Sequence, residues 1–295
     1  MRVLVAGASG FIGRELTAQL EADGHTVLKL GRSAPTHDNE FLWLPDTLTV
    51  DPRALEGTDA VINLAGATTG RIPWTTGYKR QILYSRVNGT QTLAEAIGRA
   101  GNPPAVFLNG SAVGYYGDRP GEVLTESSGK GEGFLSDVVQ AWEQAARLTP
   151  PGTRVVTFRT GLVVGAGGAF TPLIPLTKLG AAVRFGDGSQ HWPWVALYDE
   201  AAAIRHLLTS SLEGPVNIAG PTPATSAQIT DGLADALGRW HPWSVPEFAM
   251  KALGDAGQDL LLSDQQSSSE LLQNDGFQFR YETAQAAIEQ LVRAR

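Results

Sequence analysis

Short apolar runs alternate with amphipathic stretches through the first half of the chain. Val3–Ala6 reads as a buried strand, Phe11–Asp23 as a helix and Val27–Leu30 as a second strand. Ala60–Leu64 and Val106–Leu108 read as two more buried strands separated by a helix around Tyr78–Ala100. Ser136–Arg147 adds a helix and Val155–Phe158 a strand. This alternation predicts an α/β fold, with a parallel sheet and crossover helices on both faces. After Thr160 the texture changes. Gly165–Gly168 is glycine-rich, Pro172 and Pro175 follow, and helical periodicity returns at Ile204–Leu212, Ser226–Leu237 and Tyr281–Arg295. Loops are predicted at Gly186–Trp194 and Gly220–Thr225, and the polar run Ser267–Ser269 reads as a helix-flanking segment. A boundary near residue 160 separates two lobes of one unit, residues 1–160 and 161–295.

The chain has 295 residues, 42% hydrophobic and 18% charged, which suits a sizeable core and excludes a wholly disordered chain or a long coiled coil. Twenty-three basic against 30 acidic residues leave a net charge of −7 and no basic block, which argues against a nucleic-acid partner. There is no cysteine. Disulfides, thiolate metal sites and thiol nucleophiles are thereby excluded together, and a cytoplasmic location is the expectation. No stretch approaches the roughly 20 apolar residues of a membrane-spanning helix. The opening Val3–Ala8 is shorter than the about 7–15 residues of a signal core and reads as a strand entering a turn.

That turn carries the first chemistry. Gly7-Ala8-Ser9-Gly10-Phe11-Ile12-Gly13 places three glycines between a strand and a helix. Glycine permits a tight turn and a close backbone approach to phosphate, and the helix start offers amides and the positive end of its dipole. A bare glycine triplet also occurs in ordinary strand–helix turns; the flanking strand, helix and second strand favour dinucleotide binding. At the end of the second strand an NAD site wants a carboxylate for the ribose hydroxyls, but this chain has Gly31-Arg32-Ser33. Arg32 with Ser33 suits a 2′-phosphate, so NADP(H) is the expected cofactor, against the alternative of a solvated surface arginine.

With Asn63-Leu64-Ala65-Gly66, Val87-Asn88-Gly89-Thr90 and Ser111-Ala112-Val113-Gly114-Tyr115-Tyr116-Gly117 following in order, the chain resembles the extended short-chain dehydrogenase/reductases, and within them the atypical branch called epimerase family proteins. Trp142-Glu143, Arg159-Thr160-Gly161, Gly186-Asp187-Gly188-Ser189-Gln190 and Gly214-Pro215-Val216-Asn217 extend the match along nearly the whole chain. The resemblance implies a Rossmann-type doubly wound sheet with a smaller C-terminal substrate lobe, cofactor contacts at Gly7, Ser9, Gly10, Phe11, Ile12, Gly13, Arg32, Ser33, Leu64, Ala65 and Gly66, and a small-molecule substrate. It also implies a homodimer through the helices around Tyr78–Ala100 and Ser136–Arg147.

Active members of that superfamily use a Tyr-x-x-x-Lys pair, the tyrosine exchanging a proton with substrate and the lysine holding the ribose and lowering the tyrosine pKa. Counted from Ser111, those positions hold Phe134 and Val138, which can do neither. Ser111 stays a candidate donor to a substrate carbonyl, or a strand-end serine bonded to backbone. Tyr115 and Tyr116 are candidate proton donors or an aromatic wall of the cleft. Lys79 and Arg86, seven residues apart, share a helix face with Ile82 and either meet an anionic group or form a solvated or dimer surface. Lys79 is also a candidate for the lost lysine, and Asn88 reads as a brace between sheet and helix. His191, Trp192 and Trp194 line the substrate pocket or fill the smaller lobe's core. The histidines at 25, 37, 191, 206 and 241 lack metal-ligand spacing. Two functions follow: an NADP(H)-dependent oxidoreductase or epimerase-like enzyme with a rearranged acid/base, or a cofactor-binding sensor that has lost turnover.

Overall fold

Val3, Leu4, Val5 and Ala6 are all fully buried, and their side chains alternate between the two faces of one sheet. The computed structural model describes residues 1–180, 183–240 and 243–294, so His241 and the predicted helix end at Arg295 lie outside the described residues. From the N-terminus come β1 (Arg2–Ala6), α1 (Phe11–Ala22), β2 (Thr26–Gly31), β3 (Glu40–Leu44), β4 (Thr49–Val50) and β5 (Ala60–Asn63). Next are α2 (Thr76–Arg99), β6 (Val106–Ala112), β7 (Val123–Leu124), α3 (Phe134–Ala146) and β8 (Arg154–Thr160). Past Thr160 follow β9 (Leu162–Val164), α4 (Phe170–Lys178), β10 (Val183–Phe185), β11 (Trp194–Ala196), α5 (Leu197–His206), β12 (Gly214–Ile218) and α6 (Ser226–Ala236). The last segment carries β13 (Trp243–Val245), α7 (Glu247–Lys251), α8 (Asp255–Gly257), β14 (Gln266–Ser267), α9 (Glu270–Asn274) and α10 (Ala284–Arg293).

Eight strands form the main sheet in the order β12-β8-β6-β5-β1-β2-β3-β4. Every neighbouring pair is parallel except β3 with β4. The order reverses at β1, and β1 and β5 run side by side with Val5 opposite Ile62, so a crevice opens where the crossovers diverge. One face packs Val3, Val5, Leu108 and Phe158 against Leu16, Leu20 and Ile204 of α1 and α5. The other packs Leu4, Val61 and Phe107 against Leu93 and Ile97 of α2 and Ala146 of α3. This is the doubly wound parallel sheet that the alternation predicts. No described helix is long and apolar enough to cross a membrane.

The chain after Thr160 contributes to that sheet. β12 pairs with β8, Val216 opposite Phe158, and tolerates Pro215 because it lies at the sheet's edge. The helix expected at Ile204–Leu212 runs instead over Leu197–His206. Its first turn carries Asp199 and Glu200, both buried, which hide the amphipathic pattern while suiting a helix start. Asp199 accepts from the amides of Arg280 (2.9 Å) and Tyr281 (3.0 Å), tying the C-terminal segment to α5. The run Ser267–Ser269 does precede a helix, α9, but Gln266–Ser267 also pairs with Val123–Leu124 as a short parallel strand.

Glu200 is fully buried, with one oxygen accepting from Thr160 Oγ1 at 2.7 Å and the other without a partner. Burial pushes its pKa up to about 8, against the smaller pull of the Thr160 bond. Folding therefore takes up a proton at this group between its ordinary value and about 8. Stability from Glu200 is fully present at low pH and is lost as pH rises through that window. Urea titrations at pH 5 and pH 8 should show the wild type weaker at pH 8, with the difference largely gone in Glu200→Gln; an unchanged pH slope in the variant refutes the assignment.

Candidate active site

The glycine turn is built for close approach. Gly7 has φ +85°, and a Cβ there would meet the Leu64 carbonyl carbon at 2.9 Å, so the turn after β1 lies directly on the loop after β5. A Cβ on Gly13 would fall 2.1 Å from the Gly7 oxygen. Only glycine lets α1 sit this close to β1. Gly10 precedes α1 with extended backbone and no side chain caps the helix, which leaves the first-turn amides of Phe11, Ile12 and Gly13 for a ligand. Ser9 is exposed and its carbonyl accepts from Arg14 Nη1 at 2.7 Å. Leu64 continues the sheet by donating its amide to Ala6, while the Ala65 amide donates to Asn63 Oδ1 at 3.1 Å. Arg32 and Ser33 are exposed just beyond β2, at the same C-terminal end of the parallel strands as the glycine turn.

Phe11 takes a position that sequence reasoning did not anticipate. A Cβ on Gly165 or Gly167 would come within 2.5 Å of its ring, so the ring lies flat on the glycine-rich loop between β9 and α4. The glycine turn is thereby fastened to the chain after Thr160, and Ile12 packs into the core beneath it.

Three of the four residues singled out for proton chemistry converge, around a buried ion pair. Arg159 meets Glu143 through two bonds, Nε to Oε1 at 2.8 Å and Nη2 to Oε2 at 2.9 Å, with both side chains buried. Ser111 donates to the same Glu143 oxygen at 2.6 Å. Tyr116, fully buried, accepts from Arg159 Nη1 at 3.0 Å and donates to Asn217 Oδ1 at 2.7 Å. Burial raises the Tyr116 pKa, with Arg159 and Asn217 opposing it. Burial alone would lower the Arg159 pKa, but the Glu143 pair outweighs it and holds the guanidinium charged. Tyr115 is only partly buried: its ring lies 3.7 Å from the Arg159 guanidinium carbon, and among the described residues nothing bonds its hydroxyl.

Lys79 stands apart from this group. Its ammonium pairs with Asp255 of α8 and lies 5.1 Å from the Phe134 ring centre. Phe134 opens α3 and packs edge-on against Trp74, 5.4 Å between centroids, while Val138 is buried beneath. The segment around α8 closes this corner: Asp259 accepts from the Leu135 amide at 2.8 Å, and burial raises its pKa against that bond. Asn88 is not the brace between sheet and helix. Asn63, Thr90 and Asn109 are, with Thr90 Oγ1 accepting from Asn63 Nδ2 (3.1 Å) and Trp142 Nε1 (2.8 Å) and donating to Asn109 (2.9 Å). Trp192 and Trp194 belong to the core of the smaller lobe. Alongside them His191 meets Asp264 at 2.9 Å at the edge of a cavity that Gln265 and Ser267 also line.

Glu143, Arg159 and Asn217 were visible in the sequence as parts of matching motifs but carried no role there, because nothing local says that residues so far apart meet. Removing one member of a buried ion pair leaves the other uncompensated. Glu143→Ala should cost about 3–5 kcal/mol in chemical denaturation, and Ser111→Ala about 1 kcal/mol. Equal small losses in both would show that the pair is not what holds this region together.

Comparison with known proteins agrees with the geometry. Residues 3–219 match the model of the NAD dependent epimerase/dehydratase family, and residues 245–291 match a domain of unknown function, DUF1731. An epimerase family protein of Mycobacterium bovis is 38% identical over 290 residues, covering 97% of this chain and 96% of its own length. The human epimerase family protein SDR39U1 is 33% identical over 301 residues, 99% of this chain and 100% of the relative. Its crystal structure with NADPH superposes with a TM-score of 0.91 at 31% identity, covering 99% of both chains. The UDP-glucose 4-epimerase of Thermus thermophilus in complex with NAD shares the fold, with a TM-score of 0.77 at 21% identity over 99% and 98% of the two chains. A doubly wound sheet, a glycine turn seated on the Asn63–Gly66 loop and a match spanning residues 3–219 place this chain in the NAD-dependent epimerase/dehydratase family, among the extended short-chain dehydrogenase/reductases it resembles.

Proposed function

We propose that the chain is an NADP(H)-dependent oxidoreductase or epimerase-like enzyme acting on a small polar or sugar-like substrate. The observation that carries this reading is the cradle at α1: an uncapped helix start, with Gly7 and Gly13 where any Cβ would collide with backbone. Arg32 and Ser33, exposed at the end of β2, suit a 2′-phosphate, and the human relative crystallised with NADPH supports that choice. The cofactor supplies or takes a hydride. Residues 1–160 hold it, and the lobe from 161 to 295 closes over the substrate.

The proton falls to Tyr115. Ser111 donates its hydroxyl proton to Glu143 and Tyr116 donates its own to Asn217 while accepting from Arg159, and Phe134 has none. Tyr115 follows the end of β6, the side of a parallel sheet where ligands bind, and the Arg159 cation against its ring holds the phenol in place. The Lys79–Asp255 pair anchors the adjoining corner rather than the ribose.

A second reading, a sensor that binds cofactor without turnover, is favoured by one observation: the apolar packing of Phe134 and Val138 at the positions of the usual acid and its lysine. Fluorescence titration should give NADPH about tenfold or more tighter binding than NADH, with the preference lost in Arg32→Glu. A carbonyl panel should reveal NADPH oxidation that Tyr115→Phe lowers by about a hundredfold or more at unchanged NADPH affinity. Tight NADPH binding with no turnover anywhere in the panel selects the sensor, and equal binding of both cofactors removes Arg32 from the account.

A further inference from the structure

The seven tryptophans divide sharply by exposure. Trp43, Trp74, Trp142, Trp192 and Trp194 are buried, whereas Trp240 is 83% and Trp243 64% exposed. Phe248 is 77% and Leu179 83% exposed, with Leu176 and Leu253 exposed beside them. Single apolar side chains at a surface are ordinary. Here half of the large ones exposed among the described residues fall in two stretches, 176–179 and 240–253.

Pairing of β10 with β13 joins those stretches. Val183 lies opposite Trp243 in parallel register, four residues after Leu179 closes α4, and α7 follows β13 directly. Met250 fixes the direction of α7. It is buried, and a Cβ on Gly186 would lie 3.8 Å from its terminal methyl, so Phe248, two residues earlier, projects from the opposite side of the helix. The three aromatics and three leucines present roughly 700 Å² of apolar surface. That exceeds the about 300–600 Å² of the largest patch on an ordinary monomer and approaches the about 800 Å² that each partner of a stable complex covers.

Charge decides what kind of surface fits. Arg184 at the rim is held by Asp231, Nε to Oδ1 at 2.9 Å, and Lys251 pairs with Glu247 at 2.6 Å. Arg239 is not free either. Lys178 alone makes no polybasic cluster, and the chain carries −7 overall, so the excess of positive charge that holds a peripheral protein on an anionic membrane is missing. Both signs on one short helix suit a second copy of the chain. With two α7 helices antiparallel across a twofold axis, Glu247 faces Lys251 of the partner subunit, and the two Phe248 rings meet between the charged pairs.

We propose that the face made by Leu179, Trp240, Trp243 and Phe248 is where two copies of this chain associate, about a twofold axis at α7. It differs from the face of the homodimer that the resemblance implies, which uses α2 and α3, and it does not depend on the function proposed above.

Sedimentation velocity on the full chain over a wide range of concentration tests this. The wild type should show a reversible monomer–dimer equilibrium. Phe248→Glu and Trp243→Ser should each weaken the dimer about thirtyfold or more, while Tyr84→Glu, at an exposed position of α2, should leave it unchanged. Lys251→Glu should weaken it by setting acid against acid, and adding Glu247→Lys should restore it, a reversal that loss of folding does not produce. This charge exchange decides the matter if the aromatic variants do not fold. A monomer at every concentration overturns the proposal, as does a dimer that Tyr84→Glu dissociates and Phe248→Glu does not. So does failure of the double exchange to restore association. Cosedimentation of a monomeric wild type with phosphatidylserine–phosphatidylcholine vesicles, abolished by Phe248→Glu, would assign the face to a membrane instead.

Discussion

The Arg159–Glu143 pair is the constraint on which the surrounding architecture depends. A guanidinium and a carboxylate removed from water must satisfy one another almost completely, and a two-bond fork does so only when α3 and β8 hold one separation and one rotation. The remaining valences reach outward: Ser111 from β6, Tyr116 from the turn after it, and through Tyr116 the side chain of Asn217 on β12. Asn217 Nδ2 passes the network on to the Ser268 carbonyl at 2.9 Å, and its amide donates to Glu126 at 2.8 Å. One buried ion pair thus joins the sheet, a covering helix and two later segments of chain. Apart from the Tyr116 ring, which is itself part of the core, that network adds little apolar area. Its contribution is to make alternative packings leave a charge unpaired.

This use of polar groups constrains the chemistry. Active members of the superfamily that the chain resembles use a tyrosine at the position that Phe134 holds here. Here the serine serves a carboxylate and the helix begins with Phe134, packed on Trp74 beneath the Lys79 ammonium. The corner where a tyrosine would act is closed by α8 and Asp259. Tyr115, partly buried, keeps a hydroxyl without a hydrogen-bond partner among the described residues, its ring held against Arg159.

The parallel sheet was legible in the sequence because buried central strands are continuous apolar runs, and the helices because their caps and periodicity are local. Thr75 and Thr225 cap α2 and α6 through their own side chains. β12 was not legible: Gly214 and Pro215 argue against a strand, and only its place at the edge of the sheet permits them. The start of α5 was hidden for the opposite reason, since Asp199 and Glu200 look like solvent-facing residues and are buried. The glycine turn could be read in full, because its constraint is steric and sits within seven residues. The polar network could not. Ser111, Glu143, Arg159 and Asn217 meet through sheet register, Ser111 lying opposite Arg159 and Asn217 opposite the same residue from the other side.

Electrostatics ties the two arginines to the acidity of the chain. A protein of net charge −7 repels a polyanionic dinucleotide at long range, so attraction has to be local. The open start of α1 carries about half a positive charge, and its amides need no desolvation beyond that of the turn itself. Arg32 is exposed, and salt screens its charge. Arg86 is the reverse case. Its guanidinium is held in the folded protein by the Ala67 and Ile82 carbonyls and the Trp142 ring, so salt screens it much less.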